Sequence, residues 1–223
     1  MDENYSEAIA RFFRRMEVEL FSVADMSLYG RDLGGLDAQV QGLYPFALSF
    51  GLVLSKGLLD TLTDGPTALY QHHYRQLNYR LDMIAYFLAT EIEKRGYKAL
   101  PFAASQMIDW QNQKGHISHK RVGEISGMGW IGRNNLLVHP SYGSQVRYNT
   151  VLTDMPLPAG KGLEFGCDTC TDCRGACPAS AIGERPDGFD HLGCFAMLKR
   201  FKNERNLGHH ICGLCVQACK GTR

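Results

Sequence analysis

Residues 167–178 read CDTCTDCRGACP, and this stretch decides how the C-terminal part of the chain folds. Its four cysteines are Cys167, Cys170, Cys173 and Cys177. They follow the spacing C-x2-C-x2-C-x3-C, and Pro178 comes directly after the last one. The other four cysteines are Cys194, Cys212, Cys215 and Cys219. The last three of these repeat the C-x2-C-x3-C ending of the first run, so all eight cysteines of the chain lie at or after residue 167.

This spacing is the one that binds [4Fe–4S] clusters in bacterial ferredoxins, where the last cysteine of a run reaches the neighbouring cluster. The longer gap before Cys177 and the turn imposed by Pro178 favour the same arrangement here. The spacing predicts one cluster, bound by Cys167, Cys170, Cys173 and Cys219. It predicts a second cluster, bound by Cys177, Cys194, Cys212 and Cys215. The second run departs from the pattern in one respect, because Lys220 rather than proline follows its last cysteine.

Two other uses of eight cysteines compete with iron–sulfur clusters. A disulfide framework fits poorly, because residues 1–166 contain no cysteine and the acidic start, Met1-Asp2-Glu3, does not resemble a secretory signal peptide. Two zinc sites with four thiolates each remain open. Three ligands on one tight loop, with proline after the fourth cysteine, favour iron–sulfur clusters over zinc.

The composition is that of an ordinary globular protein of 223 residues, of which 44% are hydrophobic. A net charge of +1 gives no bulk attraction to nucleic acid or to an anionic membrane. No apolar run approaches the ~20 residues that a membrane span requires. We expect a cytoplasmic protein, because a reducing compartment suits eight metal-binding thiols. Residues 1–157 are predicted to form a cofactor or substrate domain, and residues 158–223 a ferredoxin-like domain.

The N-terminal region alternates between helical and strand patterns. Apolar residues from 9 to 20 recur at helical spacing and predict a first helix. Residues 46–54 alternate as in a buried strand. Apolar residues from 77 to 92 predict a long helix, with Pro66 placed to start it and an end near Gly96.

Shorter elements follow. Residues 97–102 suggest a second strand, and Ser118 can cap a short helix. Residues 136–139 and 146–152 are typical of strands. Helices that alternate with strands indicate an α+β protein, whose N-terminal domain contains a mixed sheet flanked by helices.

Residues 127–132 read GMGWIG, which matches the dinucleotide-binding pattern G-x-G-x-x-G. That motif needs a strand before it and a helix after it, whereas the pattern here is a helix followed by a strand. The glycines can instead end a helix with positive φ angles. They can also let the backbone lie against a large flat cofactor, against which Trp130 could pack.

The stretch GMGWIGRNNLLVHPSYG at residues 127–143 resembles the epoxyqueuosine reductases, and so does VLTDMPL at residues 151–157. The resemblance spans roughly residues 45–219. Members of that family combine cobalamin with two [4Fe–4S] clusters and reduce a modified base in tRNA. Reductive dehalogenases share the layout more distantly.

The resemblance implies a nitroreductase-like scaffold that binds a corrinoid, followed by a two-cluster ferredoxin-like domain. It also implies a set of residues that would line the cofactor pocket. They are Gly127, Gly129, Trp130, Gly132, Tyr142 and Arg147.

Three departures from the family pattern change what we expect. The chain ends four residues after Cys219, so we expect a short member that lacks the C-terminal helical-repeat domain. Gln113 stands where the family has an acidic proton donor, and an amide cannot replace a carboxylic acid in that role. His116 and His119 occupy the following segment. Each is a candidate proton donor, cobalt ligand or corrin contact, and a pair of helix-start residues with polar partners is the alternative.

Together these patterns predict an oxidoreductase that receives electrons from a ferredoxin or flavodoxin. The electrons would pass through both clusters to a cofactor, expected to be cobalamin, or to a substrate in the N-terminal domain. A non-catalytic electron carrier, or a reductive activator of a partner corrinoid protein, is the first alternative. A further alternative is a tRNA epoxyqueuosine reductase whose missing domain is supplied by another chain. Binding to membranes or to nucleic acid is not expected.

Overall fold

The computed structural model describes residues 4–221, so the acidic start of the chain and its last two residues lie outside the described part. The chain forms two compact units. The first unit comprises residues up to 52 together with 78–128 and 147–163. The second comprises residues 53–77, 129–146 and 164 onward. The second unit thus contains the cysteine-bearing region and two earlier segments of the chain. The predicted domain boundary after residue 157 divides the chain differently, and that boundary stays a prediction.

The helices and strands mix along the chain. The helices are α1 (Tyr5–Arg15), α2 (Ala38–Gln41), α3 (Lys56–Leu59), α4 (Ala68–Glu93), α5 (His119–Ile125), α6 (Asp172–Gly175), α7 (His191–Glu204) and α8 (Leu214–Ala218). The strands are β1 (Leu20–Asp25), β2 (Phe46–Val53), β3 (Ala99–Pro101), β4 (Trp130–Ile131), β5 (Leu137–Val138) and β6 (Val146–Thr153). Two 3₁₀ turns lie at Met26–Leu28 and Pro186–Gly188.

The principal sheet has the strand order β1-β2-β6-β3. β1 runs antiparallel to β2, with Leu20 opposite Gly51, and β3 runs antiparallel to β6, with Ala99 opposite Thr153. β2 is buried along almost its whole length, as the apolar alternation of residues 46–54 predicts. The predicted α+β class is therefore confirmed at the level of a mixed fold with antiparallel strand pairs.

The first helix is shorter than its hydrophobic pattern predicts. α1 ends at Arg15, and Leu20 begins β1 instead of completing the helical stripe, so that part of the prediction is wrong. The reason is local, because Glu17 adopts a positive φ of 54°, which no α-helix can contain. The apolar face of α1 packs as expected, and the ring of Phe13 stacks on that of Phe21 with centroids 4.5 Å apart.

Later elements follow the sequence closely. α4 buries Leu81, Ile84, Leu88 and Ile92 on one face, as their spacing predicts. The side chain of Ser118 caps α5 by accepting a hydrogen bond from the Arg121 amide. In the part of the chain that the structure describes, no helix is long and apolar enough to cross a membrane.

The glycine-rich block follows a helix and precedes a strand, the order that argues against dinucleotide binding. Gly127, with φ of 85°, follows the end of α5, and β4 begins at Trp130. Within the second unit β4 pairs with β5 in a small antiparallel sheet, with Trp130 opposite Val138. The block therefore crosses from the first unit into the second.

Candidate functional site

All eight cysteines belong to the second unit, and all eight are free thiols. Three helices carry one cysteine each: Cys173 in α6, Cys194 in α7 and Cys215 in α8. The others lie in loops. Helices joined by loops bring cysteines that are distant in the sequence into one unit.

Cys173 has the other three members of its predicted set as electrostatic neighbours. Burial, together with the nearby thiols of Cys219, Cys167 and Cys170, raises the pKa of the Cys173 thiol to about 11. We call these four residues the first thiol group. The C-terminal Cys219 thus lies near the first cysteine run, although more than 40 residues separate it from Cys173.

The second predicted set also comes together. Burial raises the pKa of Cys194 to about 11, with further contributions from Cys177 and Cys212. Burial likewise raises the pKa of Cys215, and Cys212, Cys194 and Cys177 add to the effect. We call these four residues the second thiol group. Cys173 also contributes weakly to the Cys215 shift, so the two groups are close enough to influence each other.

The donor atoms around both groups suit thiolates bound to positively charged iron. The indole N–H of Trp130 donates to Cys167 Sγ over 3.2 Å, and the Ala181 amide donates to Cys177 Sγ over 3.4 Å. Raised thiol pKa values mean that a cation is needed to stabilise the ligating thiolate form. Within residues 4–221, no three or more His, Cys, Asp or Glu side chains surround a common point as ligands of a single metal ion.

Glycines allow close backbone approach beside the first thiol group. Gly143 has φ of 59°, and a Cβ atom there would overlap the carbonyl oxygen of Cys219. A Cβ at Gly221 would overlap the carbonyl oxygen of Pro140 in the same way. The turn after β5 therefore lies directly against the backbone from Cys219 to Gly221.

The glycines of the G-x-G-x-x-G block are explained by contacts within the units. A Cβ at Gly127 would overlap the Lys161 carbonyl, and one at Gly129 would overlap the Val138 carbonyl. A Cβ at Gly132 would lie 2.5 Å from a methyl group of Val138 and 3.5 Å from Cys167 Sγ. These contacts alone require glycine, and a cofactor contact by the same residues stays a prediction.

Tyr142 and Arg147, predicted to line a cofactor pocket, both have partners in their own units. The Tyr142 ring lies against that of His139, with centroids 5.2 Å apart. The Arg147 guanidinium donates to Asn78 Oδ1 over 2.9 Å and to the Ala104 carbonyl over 3.1 Å. Their assignment to a cofactor also stays a prediction.

His116 and His119, the candidate catalytic residues, differ in their surroundings. His116 Nδ1 donates to the Gly34 carbonyl over 2.6 Å, which makes Nε2 the nitrogen that can accept another hydrogen bond. His119 uses both nitrogens: Nε2 donates to the Ala103 carbonyl over 3.1 Å, and Nδ1 accepts from the Thr150 hydroxyl over 2.9 Å. Burial lowers the pKa of His119 to about 4, with a smaller contribution from the Arg147 charge. His119 is therefore neutral at pH 7 and tied to the fold, while His116 is better placed to exchange a proton.

Sequence reasoning missed two residues beside the first thiol group, Phe165 and Gly166. The Arg133 guanidinium lies 5.4 Å from the Phe165 ring centroid, and a Cβ at Gly166 would meet the Trp130 ring. The available signal was the Phe-Gly pair directly before Cys167, which sequence spacing alone does not connect to Trp130.

Comparisons with known proteins find that the chain is similar to epoxyqueuosine reductases and to a reductive dehalogenase. No family model matches it. It is 31% identical over 113 residues to an epoxyqueuosine reductase of Bacillus cereus, a match that covers 47% of this chain and 30% of that protein. It is 32% identical over 111 residues to a tetrachloroethene reductive dehalogenase of Sulfurospirillum multivorans, covering 44% of this chain and 22% of that protein.

Among solved structures, a reductive dehalogenase described as suggesting a mechanism for B12-dependent dehalogenation has a similar fold. Its TM-score is 0.75 at 17% identity, and the match covers 96% of this chain and 31% of that one. Each of these matches spans less than a third of the relative's length. The predicted resemblance to the epoxyqueuosine reductases is confirmed, and the fold is shared with a reductive dehalogenase.

Proposed function

We propose that this relative of the epoxyqueuosine reductases is an iron–sulfur oxidoreductase that holds two [4Fe–4S] clusters. Electrons would pass through them to a cofactor or substrate in the N-terminal part of the chain. The observation that carries the proposal is the grouping of the thiols. Cys173 lies near Cys167, Cys170 and Cys219, and the second thiol group assembles separately. Such clusters, when bound, supply one-electron transfer at potentials that the protein sets.

The residues of the chain would hold and tune these clusters. The N–H donors of Trp130 and Ala181 stabilise negative charge on Cys167 and Cys177. The thiols of Cys173 and Cys215 interact electrostatically, so clusters bound by the two groups would lie near each other. A ferredoxin or flavodoxin remains our proposed electron donor.

Cobalamin is part of the proposal because of the relatives rather than the observed contacts. A solved protein of the same fold is described as B12-dependent. In this chain, however, the contacts of Tyr142 and Arg147 are explained within their own units. The cofactor proposal therefore needs a binding experiment of its own.

The test is the metal content and corrin binding of the anaerobically purified chain. Two cubes require about eight iron and eight sulfide per chain. We expect that content, and a change in the corrin absorption spectrum when cobalamin is added. Zinc at about two per chain without sulfide would refute the cluster proposal. Full iron without any spectral change or measurable affinity would refute the cobalamin part alone.

A second function is favoured by one observation, the setting of Gln113. Its side-chain amide donates to the Trp110 carbonyl over 2.5 Å and offers no acidic proton. This favours a carrier, or a reductive activator of a corrinoid protein, over tRNA epoxyqueuosine reduction. A pull-down that recovers a stable corrinoid protein would support the activator. Restored queuosine in a strain that lacks the reductase would instead support the tRNA function.

A further inference from the structure

The segment from Trp130 to Arg133, which the sequence associates with a flat cofactor, contacts the first cysteine run. The indole N–H of Trp130 donates to Cys167 Sγ over 3.2 Å, and the residue is only 5% exposed. A buried N–H group needs a partner, and here the partner is a predicted cluster ligand.

Gly166 is what lets the indole reach Cys167. A Cβ atom at Gly166 would lie 3.0 to 3.2 Å from three carbons of the Trp130 six-membered ring. That is tighter than most Cβ contacts in proteins, so a side chain directly before Cys167 would push the Trp130 ring away by a few tenths of an ångström. The Trp130 ring therefore packs against Gly166 while its N–H donates to Cys167.

Arg133 holds the next part of the same loop. Its guanidinium donates to the Asp168 carbonyl over 2.6 Å and to the Cys170 carbonyl over 2.9 Å. It also lies over the Phe165 ring. Asp168 has a positive φ of 40°, a conformation that residues other than glycine adopt uncommonly. Arg133 thus fixes the backbone from Asp168 to Cys170.

We infer that Trp130 is a positioning residue of the first thiol group, whose N–H raises the reduction potential of the cluster bound there, with Arg133 fixing the loop. The inference rests on the proposed clusters. A hydrogen bond to a ligating sulfur stabilises the reduced cluster more than the oxidised one, because the reduced cluster carries one more negative charge. Little of the buried ring is left to face a cobalamin.

The test is a redox titration of the Trp130→Phe variant of the full chain, followed by electron paramagnetic resonance. Phenylalanine keeps an aromatic ring and removes the N–H. At a fixed solution potential we expect the ratio of reduced to oxidised first cluster to fall roughly tenfold, a shift of about 59 mV to more negative potential. The second cluster should keep its potential. Trp110→Phe is the matched control, because Trp110 is 59% exposed, and it should shift neither cluster.

A second variant separates the loss of the N–H from a loss of side-chain packing. If Trp130→Phe binds less iron, β-(3-benzothienyl)alanine at position 130 keeps the bicyclic shape and replaces the N–H by sulfur. The same selective shift is expected. Unchanged potentials, or equal shifts of both clusters, at full iron content would overturn the inference and leave the proposed clusters intact. A wild-type chain that binds no iron would overturn the proposed function and, with it, the inference.

Discussion

The setting of His119 leads to a prediction about how stability depends on pH. Its Nε2–H donates to the Ala103 carbonyl and its Nδ1 accepts from the Thr150 hydroxyl, and the second of these bonds needs the neutral ring. Protonation would put a second N–H on Nδ1, and the Arg147 charge also opposes it. The replacement to study is His119→Gln, which cannot titrate.

The magnitude follows from the pKa. The folded-state value of about 4 lies below the ordinary value of 6.5, so the unfolded chain binds more protons below pH 6.5. The stabilisation of the folded state by neutral His119 is present above pH 6.5 and is lost as the pH falls toward 4. Because one pKa unit is worth about 1.4 kcal/mol, the loss between pH 7 and pH 5 is about 2 kcal/mol, an upper figure since part of the residue is accessible.

The assay is anaerobic urea unfolding of both proteins at pH 7 and pH 5, followed by far-UV circular dichroism. Other histidines with lowered pKa values, such as His73 and His139, are present in both proteins and cancel in the comparison. Between pH 7 and pH 5, the free energy of unfolding of the wild type should fall by about 2 kcal/mol more than that of His119→Gln. Equal losses would show that His119 is not held neutral by the fold, and would restore it as a candidate proton donor.

Three further predictions concern the thiol groups and the core. Cys173→Ser should reduce the iron content from about eight to about four per chain, measured by iron analysis, whereas retention of both clusters would contradict the proposed ligand set. Gly143→Ala should lower the free energy of unfolding by about 1–2 kcal/mol, seen as a lower melting temperature, and should lower the iron content, because Gly143 has φ of 59°. Gly57→Ala is the control, because a Cβ at Gly57 would lie in open space. Arg147→Lys should lower the free energy of unfolding in urea by roughly 1–2 kcal/mol, because lysine cannot replace the two guanidinium hydrogen bonds to Asn78. An unchanged midpoint would show that these bonds do not stabilise the fold and would favour a cofactor contact for Arg147.

The cysteine spacing alone predicts a division of the thiols into two sets because ligand geometry is partly local. C-x2-C-x2-C confines three sulfur atoms to one tight loop, and the fourth cysteine must point elsewhere. The Ser118 cap and the buried strand β2 were predictable for the same reason, since capping and alternation depend on near neighbours in the chain. Leu20 misled the helix prediction because its spacing matches a helix that the backbone at Glu17 has already ended.

The sequence by itself determined the relationship to the epoxyqueuosine reductases, and it predicted the donor set and its division into two groups of four. Only the tertiary structure decided that residues 53–77 and 129–146 join the cysteine region, and that the Trp130 N–H meets Cys167. It also decided that His119 is tied to Ala103 while His116 keeps one nitrogen available. The physical reason is the distance along the chain over which each effect acts. Spacing fixes geometry within a turn or loop, whereas Trp130 and Cys167, 37 positions apart, meet only through packing of the intervening chain.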